Sequence, residues 1–359
     1  MTDMKKIVLS IVTILLALNA GAQGVYLSKA YKPTDSRKYN PHYRGVRGQE
    51  ETSAISNFKY TNGFSLRNGV TNDQAKEFAY AEFSLGGQYE KISFVMGRKS
   101  EVKFLAGDDG NHIVTVKADG RRILDEVVRD YDPPKEYVLD ITGVDKLLFQ
   151  HWKGLESIDF EEVRLWKKGE TPVKPANPLA SVISKDKVNL VEELEPHVIC
   201  HRGWSKPITQ KYWSGVGAIE SIKMNRISYT SGLEMSCSQE FGKGISSGFA
   251  YFWLQRAFDK VSFLIGPRDN MSSNAQGWFT VKADGKIIYE KLITQQDLVE
   301  RVTLDVKGVN LLSMHTGELE NSDFLGGLTY GVVDIYAYKK GVPVEVFHTR
   351  KRLVQRYLL

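Results

Sequence analysis

The sequence feature that most constrains the fold is a long internal repeat. Residues 116–120 (VKADG) recur as 281–285, and residues 139–144 (LDITGV) recur as 304–309 (LDVKGV), both at an offset of 165 residues. Three more blocks recur in the same order with small changes in offset: 60–63 as 229–232, 89–97 as 258–266, and 166–169 as 338–341. Solenoid repeats have periods of about 20–50 residues, so this longer period predicts two copies of one domain with loop insertions.

Each copy has the local patterns of an all-β domain. Short runs rich in β-branched and aromatic residues occur at 91–96 and 112–117, and residues 279–282 alternate strictly between apolar and polar. Asp119-Gly120 and Asp284-Gly285 each lie between two such runs, and Asp-Gly favours the two-residue turn of a β-hairpin. No long amphipathic helix competes in either copy, so we predict an antiparallel β-sandwich for each.

The repeat and the composition divide the chain into six segments. They are a cleaved signal peptide at 1–22, an N-terminal arm at 23–51, a first domain at 52–170, a Pro-containing linker with extra strands at 171–214, a second domain at 215–342 and a basic tail at 343–359. Pro172, Pro175 and Pro178 are typical of a stiff connector, which supports the linker assignment.

The N-terminal segment has the pattern of a secretory signal. Lys5 and Lys6 precede an apolar run at 7–18, and Ala20 and Ala22 fit an A-x-A cleavage site. A membrane-spanning helix needs about 20 apolar residues, and this run is shorter. We therefore expect a secreted or periplasmic protein, with association to the cell surface as an open alternative.

Composition excludes several classes of protein. The chain is 42% hydrophobic and 25% charged, which is ordinary for a globular protein. Its 48 basic residues exceed its 43 acidic ones by little, so we expect no nucleic-acid partner, and no later apolar run is long enough for a membrane span. In an oxidising compartment Cys200 and Cys237 form either one disulfide or two separate thiols.

The repeated motifs resemble those of a known family. In the first copy they are residues 85–94 (LGGQYEKISF) with Gly97, then 116–120 and 139–144; in the second they are 258–263 (FDKVSF) with Gly266, then 281–289 and 304–309. This set resembles the NPCBM family of carbohydrate-binding modules, which occur beside secreted glycoside hydrolases. The resemblance implies two tandem sandwiches of jelly-roll type and a role in glycan binding.

Three tryptophans are candidates for contact with a sugar, because an exposed aromatic ring stacks on the apolar face of a pyranose. Trp152 and Trp204 lie in Gly-containing, loop-like contexts, and Trp213 is the third candidate. Trp253 lies in a run typical of a buried strand, and Trp278 aligns with an apolar position of the first copy, so we favour the core for these two.

Two equivalent loops carry acidic and amide side chains of the kind that bind Ca²⁺. They contain Asp108 and Asp109 in the first copy and Asp269 and Asn270 in the second. A solvated turn without metal is the alternative for both loops. The sequence predicts no other cofactor.

No catalytic residues stand out beside these candidates. The chain has no Gly-rich phosphate loop and no H-E-x-x-H motif, and adjacent carboxylates such as Glu161-Glu162 point to opposite faces of a strand. The leading hypothesis is a secreted, non-catalytic protein that binds a glycan. The alternative is an envelope structural or protein-interaction protein that contacts a cell-envelope partner and binds no sugar, and a hydrolase without a recognisable pattern is a third.

Overall fold

The computed structural model describes residues 24–43, 53–55, 58–60, 62–68, 78–98, 111–129, 131–153, 156–196, 198–201, 206–208, 221–240, 244–246, 248–269, 276–316 and 328–344. The chain separates into two compact units, Met1–Asn177 and Pro178–Leu359. Within the ranges just given, no helix is long and apolar enough to cross a membrane. The predicted signal peptide at 1–22 and most of the basic tail lie outside these ranges.

The first unit is built almost entirely from strands. Its elements are β1 (Val25–Tyr26), α1 (Leu27–Ala30), β2 (Asp35–Arg37), β3 (Tyr39–Tyr43), β4 (Ser53–Ile55), β5 (Phe58–Tyr60), β6 (Asn62–Asn68), β7 (Ala79–Ser84), β8 (Lys91–Arg98), β9 (Asn111–Ala118), β10 (Arg121–Arg129), β11 (Lys135–Asp140), β12 (Lys146–Lys153) and β13 (Glu156–Trp166).

Two sheets form the sandwich of the first unit. One has the order β11-β8-β13-β6-β3, with β1 paired to β13, and the other has the order β10-β9-β12-β7-β2. Of the eight strands from β6 to β13, the first, third, sixth and eighth lie in one sheet and the others lie in the second. This alternation is the jelly-roll arrangement, so the predicted fold class is confirmed for this unit.

Aromatic side chains fill the space between the two sheets. The ring of Phe64 in β6 lies 5.1 Å from the rings of Phe149 and Phe160, measured between centroids. All three side chains are fully buried. Burying one such side chain stabilises a fold by about 1.5–3 kcal/mol, and edge-to-face pairs add to this.

The elements of the second unit repeat this arrangement and add a π-helical turn and β20. They are α2 (Ala180–Ile183), β14 (Lys187–Asn189), a π-helical turn (Leu190–Leu194), β15 (Val198–His201), β16 (Lys206–Ile208), β17 (Ile222–Met224), β18 (Ile227–Tyr229), β19 (Gly232–Glu240), β20 (Gly244–Ser246), β21 (Gly248–Trp253), β22 (Lys260–Pro267), β23 (Gln276–Ala283), β24 (Lys286–Thr294), β25 (Glu300–Asp305), β26 (Leu311–Thr316) and β27 (Leu328–Tyr338).

The sheets of the second unit follow the same plan with a different filling. Their orders are β16-β19-β27-β22-β25, joined by β14 and β20, and β15-β21-β26-β23-β24, so the jelly-roll prediction is confirmed here too. The register of β19 against β27 places Leu233 opposite Val332, at the positions where the first unit pairs Phe64 with Phe160. The second core is therefore more aliphatic at this point.

The same tight turn closes one hairpin in each unit. Asp119 and Gly120 have φ values of +47° and +80°, and Asp284 and Gly285 have +47° and +83°. Positive φ at both central positions is what a type I′ turn requires, and glycine adopts it without steric cost. The hairpin prediction from the two Asp-Gly pairs is correct, since β9 pairs with β10 and β23 with β24.

The aspartates of these turns also tie each hairpin to a neighbouring strand. The carboxylate of Asp119 accepts hydrogen bonds from the backbone N–H of Lys146 at 2.8 Å and of the residue before it at 3.2 Å. Asp284 does the same with Leu311 at 2.8 Å and with the residue before it at 3.1 Å. One side chain thus satisfies two amides where β12 or β26 begins.

The structural repeat begins earlier than the sequence blocks indicate. Val25 in β1 pairs with Leu165 of the last strand of the first unit, and Lys187 in β14 pairs with Tyr338 of the last strand of the second. The segment assigned as an arm thus supplies β1 to β3, and the segment after Pro178 supplies β14 to β16. Both segments contribute strands to the sandwich that follows them in the chain.

Candidate functional site

The outward face of the β10-β9-β12-β7-β2 sheet carries a cluster of aromatic side chains. Along β7, Ala79, Ala81 and Phe83 are fully buried and face the core. Successive residues of a strand point to opposite faces, so Tyr80 faces outward, as does Phe78 immediately before the strand. Both of these rings are half-buried, and their centroids lie 5.6 Å apart.

Trp152 completes this cluster from the neighbouring strand. The register of β12 against β9 shifts between His151 and Lys153, which places Trp152 in a β-bulge. Its ring stacks on Phe78 with centroids 4.7 Å apart and an interplanar angle of 29°. Trp152 is nevertheless 42% exposed, and we refer to Phe78, Tyr80 and Trp152 together as the aromatic platform.

Polar groups beneath the platform fix the orientation of the indole. Trp152 Nε1 donates a hydrogen bond to Thr115 Oγ1 at 2.8 Å, and the Thr115 hydroxyl donates to Gln150 Oε1 at 3.4 Å. Thr115 and Gln150 are both buried. Because the ring is held from below by stacking and by this chain of hydrogen bonds, it needs little reorganisation when a ligand contacts its exposed part.

Charged and hydroxyl groups surround the platform. The Tyr80 hydroxyl donates to Asp35 Oδ2 at 3.0 Å, and this hydrogen bond raises the pKa of Tyr80. The ammonium of Lys117 lies 5.6 Å from the Trp152 ring centroid, within the range of a cation–π contact. The face thus combines apolar ring surface with donors and acceptors at its edge, which is the chemistry a sugar requires.

Two buried histidines lie on the core side of the same sheet. His112 Nδ1 lies 3.1 Å from His151 Nε2, and His151 Nδ1 lies 3.2 Å from the carbonyl oxygen of Leu66. A carbonyl only accepts, so His151 carries its proton on Nδ1, and its Nε2 accepts from His112. Both side chains are fully buried, so the hydrogen bond between them lies in the core of the first unit.

The corresponding face of the second unit carries a different cluster. The rings of Tyr251 and His315 lie 5.3 Å apart, and both contact Phe249, at 5.4 Å and 6.0 Å. His315 Nε2 lies 2.8 Å from Ser313 Oγ. Burial lowers the pKa of His315 to about 4, with a further contribution from the charge of Lys282, so this ring is neutral at pH 7.

The two faces differ most at the position of Trp152. The offset of 165 residues aligns Trp152 with Gly317, which lies outside the described residues. The same offset aligns Gln150 with His315, in agreement with the pairing of β9 with β12 and of β23 with β26. At the sequence level, therefore, the second unit has no indole to match the exposed ring of the first.

The other sequence candidates for sugar contact fall in several places. Trp204 and Trp213 lie outside the described residues. Trp253 and Trp278, for which the sequence favours the core, are half-buried instead. Trp253 Nε1 donates to Asn310 Oδ1 at 3.2 Å.

Of the four candidate calcium ligands, one lies in the described part of the chain. Asp269 accepts a hydrogen bond from the backbone N–H of Arg226 at 2.9 Å, and its own N–H donates to the carbonyl of Lys223 at 2.8 Å. The side chain thus bonds the turn between β17 and β18. Asp108, Asp109 and Asn270 lie outside the described residues, and the described ones contain no group of three or more acidic, His or Cys side chains suited to a metal.

The two cysteines lie in different sheets of the second unit. Cys200 pairs with Phe249 across β15 and β21, and Cys237 pairs with Leu328 across β19 and β27. Their side chains lie outside the described residues, so the disulfide stays a prediction.

Residues 244–248 match the G-x-S-x-G pattern that marks the nucleophile of many hydrolases. That nucleophile lies on a sharp turn from a strand into a helix. Here Gly244–Ser246 form β20, which pairs with β19, and β21 begins at Gly248. The match therefore lacks the strand–turn–helix context that gives the pattern its meaning.

Sequence reasoning found Trp152 but not its two partners. Phe78 and Tyr80 alternate with Ala79 and Ala81, so large rings face one way and small side chains face the other. That alternation is the signal that could have identified an aromatic outer face. It does not show that the face is shared with Trp152, because that depends on the pairing of β12 with β7.

Comparison with known proteins gives fold-level likeness alone. No protein-family model matches the sequence, and no curated protein matches it.

Similar solved structures include the tandem CBM51 modules of a family 98 glycoside hydrolase from Streptococcus pneumoniae. The two chains are 13% identical, the match covers 88% of this chain and 99% of that chain, and the TM-score is 0.32. A CBM51 module from Clostridium perfringens in complex with methyl-galactose has 17% identity, 42% and 99% coverage and a TM-score of 0.32. The ANXUR1 extracellular domain from Arabidopsis thaliana has 11% identity, 87% and 90% coverage and a TM-score of 0.25. Identities and TM-scores this low say nothing about what this chain binds.

Proposed function

We propose that the protein binds carbohydrate on the outward face of the first unit, with the aromatic platform as the contact surface. The observation that carries the proposal is the state of Trp152, which is 42% exposed yet held by Phe78 and by Thr115. Large aromatic rings on a protein surface are normally covered, and a fixed, exposed ring is typical of a binding surface.

A pyranose ring suits this surface for physical reasons. Its axial C–H groups form an apolar face that gains from contact with the indole, at about 25 cal/mol per Å² of apolar surface removed from water. Its hydroxyls need partners at the rim, where Tyr80, Asp35 and Lys117 supply donors and acceptors. The first unit therefore has both halves of a sugar-binding surface.

We also propose that the chain is exported and acts without catalysis. Support for export is the signal pattern at 1–22, and cleavage after Ala22 leaves both units intact. Two carboxylates beside the platform in the described part of the chain are already engaged, Asp35 by the Tyr80 hydroxyl and Glu82 by the Lys146 ammonium at 3.6 Å. Neither is arranged as an acid or a base toward the platform.

The test is a glycan array with the purified protein, followed by titration calorimetry on the glycans that bind. Trp152→Ala should weaken binding about tenfold or more, because the stacking surface is lost. Trp152→Phe should keep part of the affinity, since it retains a ring and loses the Thr115 hydrogen bond. Trp253→Ala removes an indole from the second unit and should leave binding unchanged.

Two results would contradict the proposal. If no glycan bound, the proposed carbohydrate-binding function would be wrong. If the wild type and a folded Trp152→Ala variant bound with equal affinity, the assignment of binding to the aromatic platform would be wrong. Circular dichroism and thermal unfolding establish that each variant is folded. Assay of the bound glycan for new reducing ends tests the non-catalytic part, and their time-dependent appearance would contradict it.

A further inference from the structure

One positive charge beside the platform has no carboxylate among the described residues to balance it. Lys117 lies in β9, between β10 and β12 in the sheet, and its side chain is half-buried. The one contact of its ammonium in the described part of the chain is with the Trp152 ring, at 5.6 Å. No Asp or Glu among the described residues lies within ion-pair distance of it.

The acidic groups on this face each have another partner. Asp125 forms an ion pair with Arg122 on its own strand, and Glu82 forms one with Lys146. Asp35, at the edge strand, accepts the hydroxyl of Tyr80. Lys117 is therefore a cation beside the platform that none of these described carboxylates pairs with.

We propose that the glycan recognised by the platform is acidic, with a carboxylate-bearing sugar placed so that its anion contacts Lys117. The proposal rests on the proposed function and names the substrate class for that site. Half-burial removes part of the water from the ammonium, and an aromatic ring at 5.6 Å replaces little of it. A sugar carboxylate beside Trp152 restores a full ionic partner while the pyranose ring stacks on the indole.

The geometry explains why one ligand satisfies both groups. The Lys117 ammonium is tethered by a flexible chain and lies near the ring that the sugar contacts. A C6 carboxylate lies at the edge of a pyranose, so a stacked ring directs its anion away from the platform centre. The lysine side chain can reach that edge because its four-carbon stem rotates, while the indole stays fixed beneath the sugar ring.

The second unit offers an internal control for this proposal. Lys282 occupies the position of Lys117, but its charge acts on His315 rather than on an exposed indole. The counterpart of Asp125 is Glu290, which accepts a hydrogen bond from Thr280, whereas Asp125 pairs with Arg122. We therefore assign the acidic-sugar site to the first unit alone.

The experiment compares matched pairs of oligosaccharides by calorimetry with the full protein. Each pair contains an oligouronide, such as oligogalacturonate or oligoglucuronate, and the same oligosaccharide with its carboxylates reduced to hydroxymethyl groups. The wild type should bind the acidic member of at least one pair about tenfold tighter than its reduced form. The preference should decrease as NaCl is raised to about 0.5 M, because salt screens the ion pair.

Charge variants identify the residue responsible. Lys117→Met keeps the length of the side chain and should abolish the preference for the acidic member without abolishing binding of the reduced one. Lys117→Arg should retain the preference, and Lys282→Met should behave as wild type. Circular dichroism and thermal unfolding establish that each of these variants is folded.

The possible outcomes distinguish failure of the acidic-sugar assignment from failure of the proposed carbohydrate-binding function. Equal binding of the acidic and reduced members, or a preference that survives Lys117→Met, overturns the acidic-sugar assignment and leaves sugar binding standing. Failure of every acidic, reduced and neutral glycan to bind overturns the proposed function, and the acidic-sugar assignment with it.

Discussion

In the first unit, β6 and β13 bring Phe64 against Phe160, and in the second unit β19 and β27 bring Leu233 against Val332. The order of the jelly-roll strands is the same in both units, but the side chains that fill the core are not. A second contrast lies near the two-stranded sheets β4–β5 and β17–β18. Glu161 is buried and its charge acts on Tyr60 of β5, whereas Val333 packs with Ile222 and Met224 of β17.

The turns show the opposite behaviour. Both units keep Asp-Gly at the hairpin between the fourth and fifth jelly-roll strands, with nearly equal φ values, and both use the aspartate to bond the start of another strand. The comparison teaches that turns and strand order define the sandwich, while core filling and outer faces vary independently. A binding surface can therefore be present in one unit and absent from the other.

The largest expected effect is in the aromatic core. Phe64→Ala should lower the free energy of unfolding of the first unit by about 3–5 kcal/mol, because Phe64 is fully buried among other rings. Phe64→Leu, which introduces the residue of the second unit, should cost less. Calorimetric scans measure both, and a shift of the second unit's transition by Phe64→Ala would contradict the assignment of separate cores.

The next effect is a pH dependence confined to the second unit. Above pH 6.5 His315 is neutral in both the folded and the unfolded state, so it contributes nothing to the pH dependence. Between pH 6.5 and about 4 the unfolded state binds a proton that the folded state does not. The free energy of unfolding should therefore fall by about 3 kcal/mol over that interval, and below it the loss is complete.

The matched control for this prediction is His315→Gln, which introduces the residue that the first unit has at the corresponding position. Denaturant unfolding at several pH values gives the slope of the free energy of unfolding against pH. The variant should lose the part of this slope that is due to His315. The part that is due to carboxylates should be the same in the wild type and the variant. Identical slopes for wild type and His315→Gln would show that this histidine is not held neutral by burial.

The buried histidine pair should give a smaller effect, found in the first unit alone. His151→Ala removes the acceptor of the His112 proton and should cost about 1–3 kcal/mol beyond the loss of packing. His112→Ala should cost a similar amount. In a double-mutant cycle the double variant should cost less than the two single variants added together, and strict additivity would argue against the His–His hydrogen bond.

The smallest effect should be the same in both units. Asp119→Ala and Asp284→Ala each remove a carboxylate that accepts two backbone N–H groups, in a solvent-exposed turn. We expect a loss of about 1 kcal/mol in each case, by analogy with other side-chain caps. Costs that differ by more than about 1 kcal/mol would show that the two turns are not equivalent.

The sequence predicts the sandwich because turns and alternation are local. Asp119-Gly120 specifies its hairpin without reference to any distant residue, and the offset of 165 residues transfers the prediction to the second unit. The first strands escape notice because they are short. Val25 and Leu27 match Val188 and Leu190, but a strand of two or three residues shows no periodicity.

The candidate site is harder to predict, because it depends on contacts between distant segments. Trp152 is recognisable as a candidate, yet its partner Phe78 comes from another strand and Thr115 from a third. A one-residue shift in the pairing of β12 with its neighbours would send the indole to the other face of the sheet, and no local pattern in the sequence fixes that register.

The pairing of Val25 with Leu165 has a consequence for how such a chain came to exist. In each unit the first strand lies beside the last, so the points where the chain enters and leaves the sandwich are neighbours. A gene segment that encodes a unit of this kind can be copied in line without rethreading the original. After duplication, the two copies are able to accumulate different substitutions. The indole at position 152 and the glycine at the aligned position 317 are one such difference.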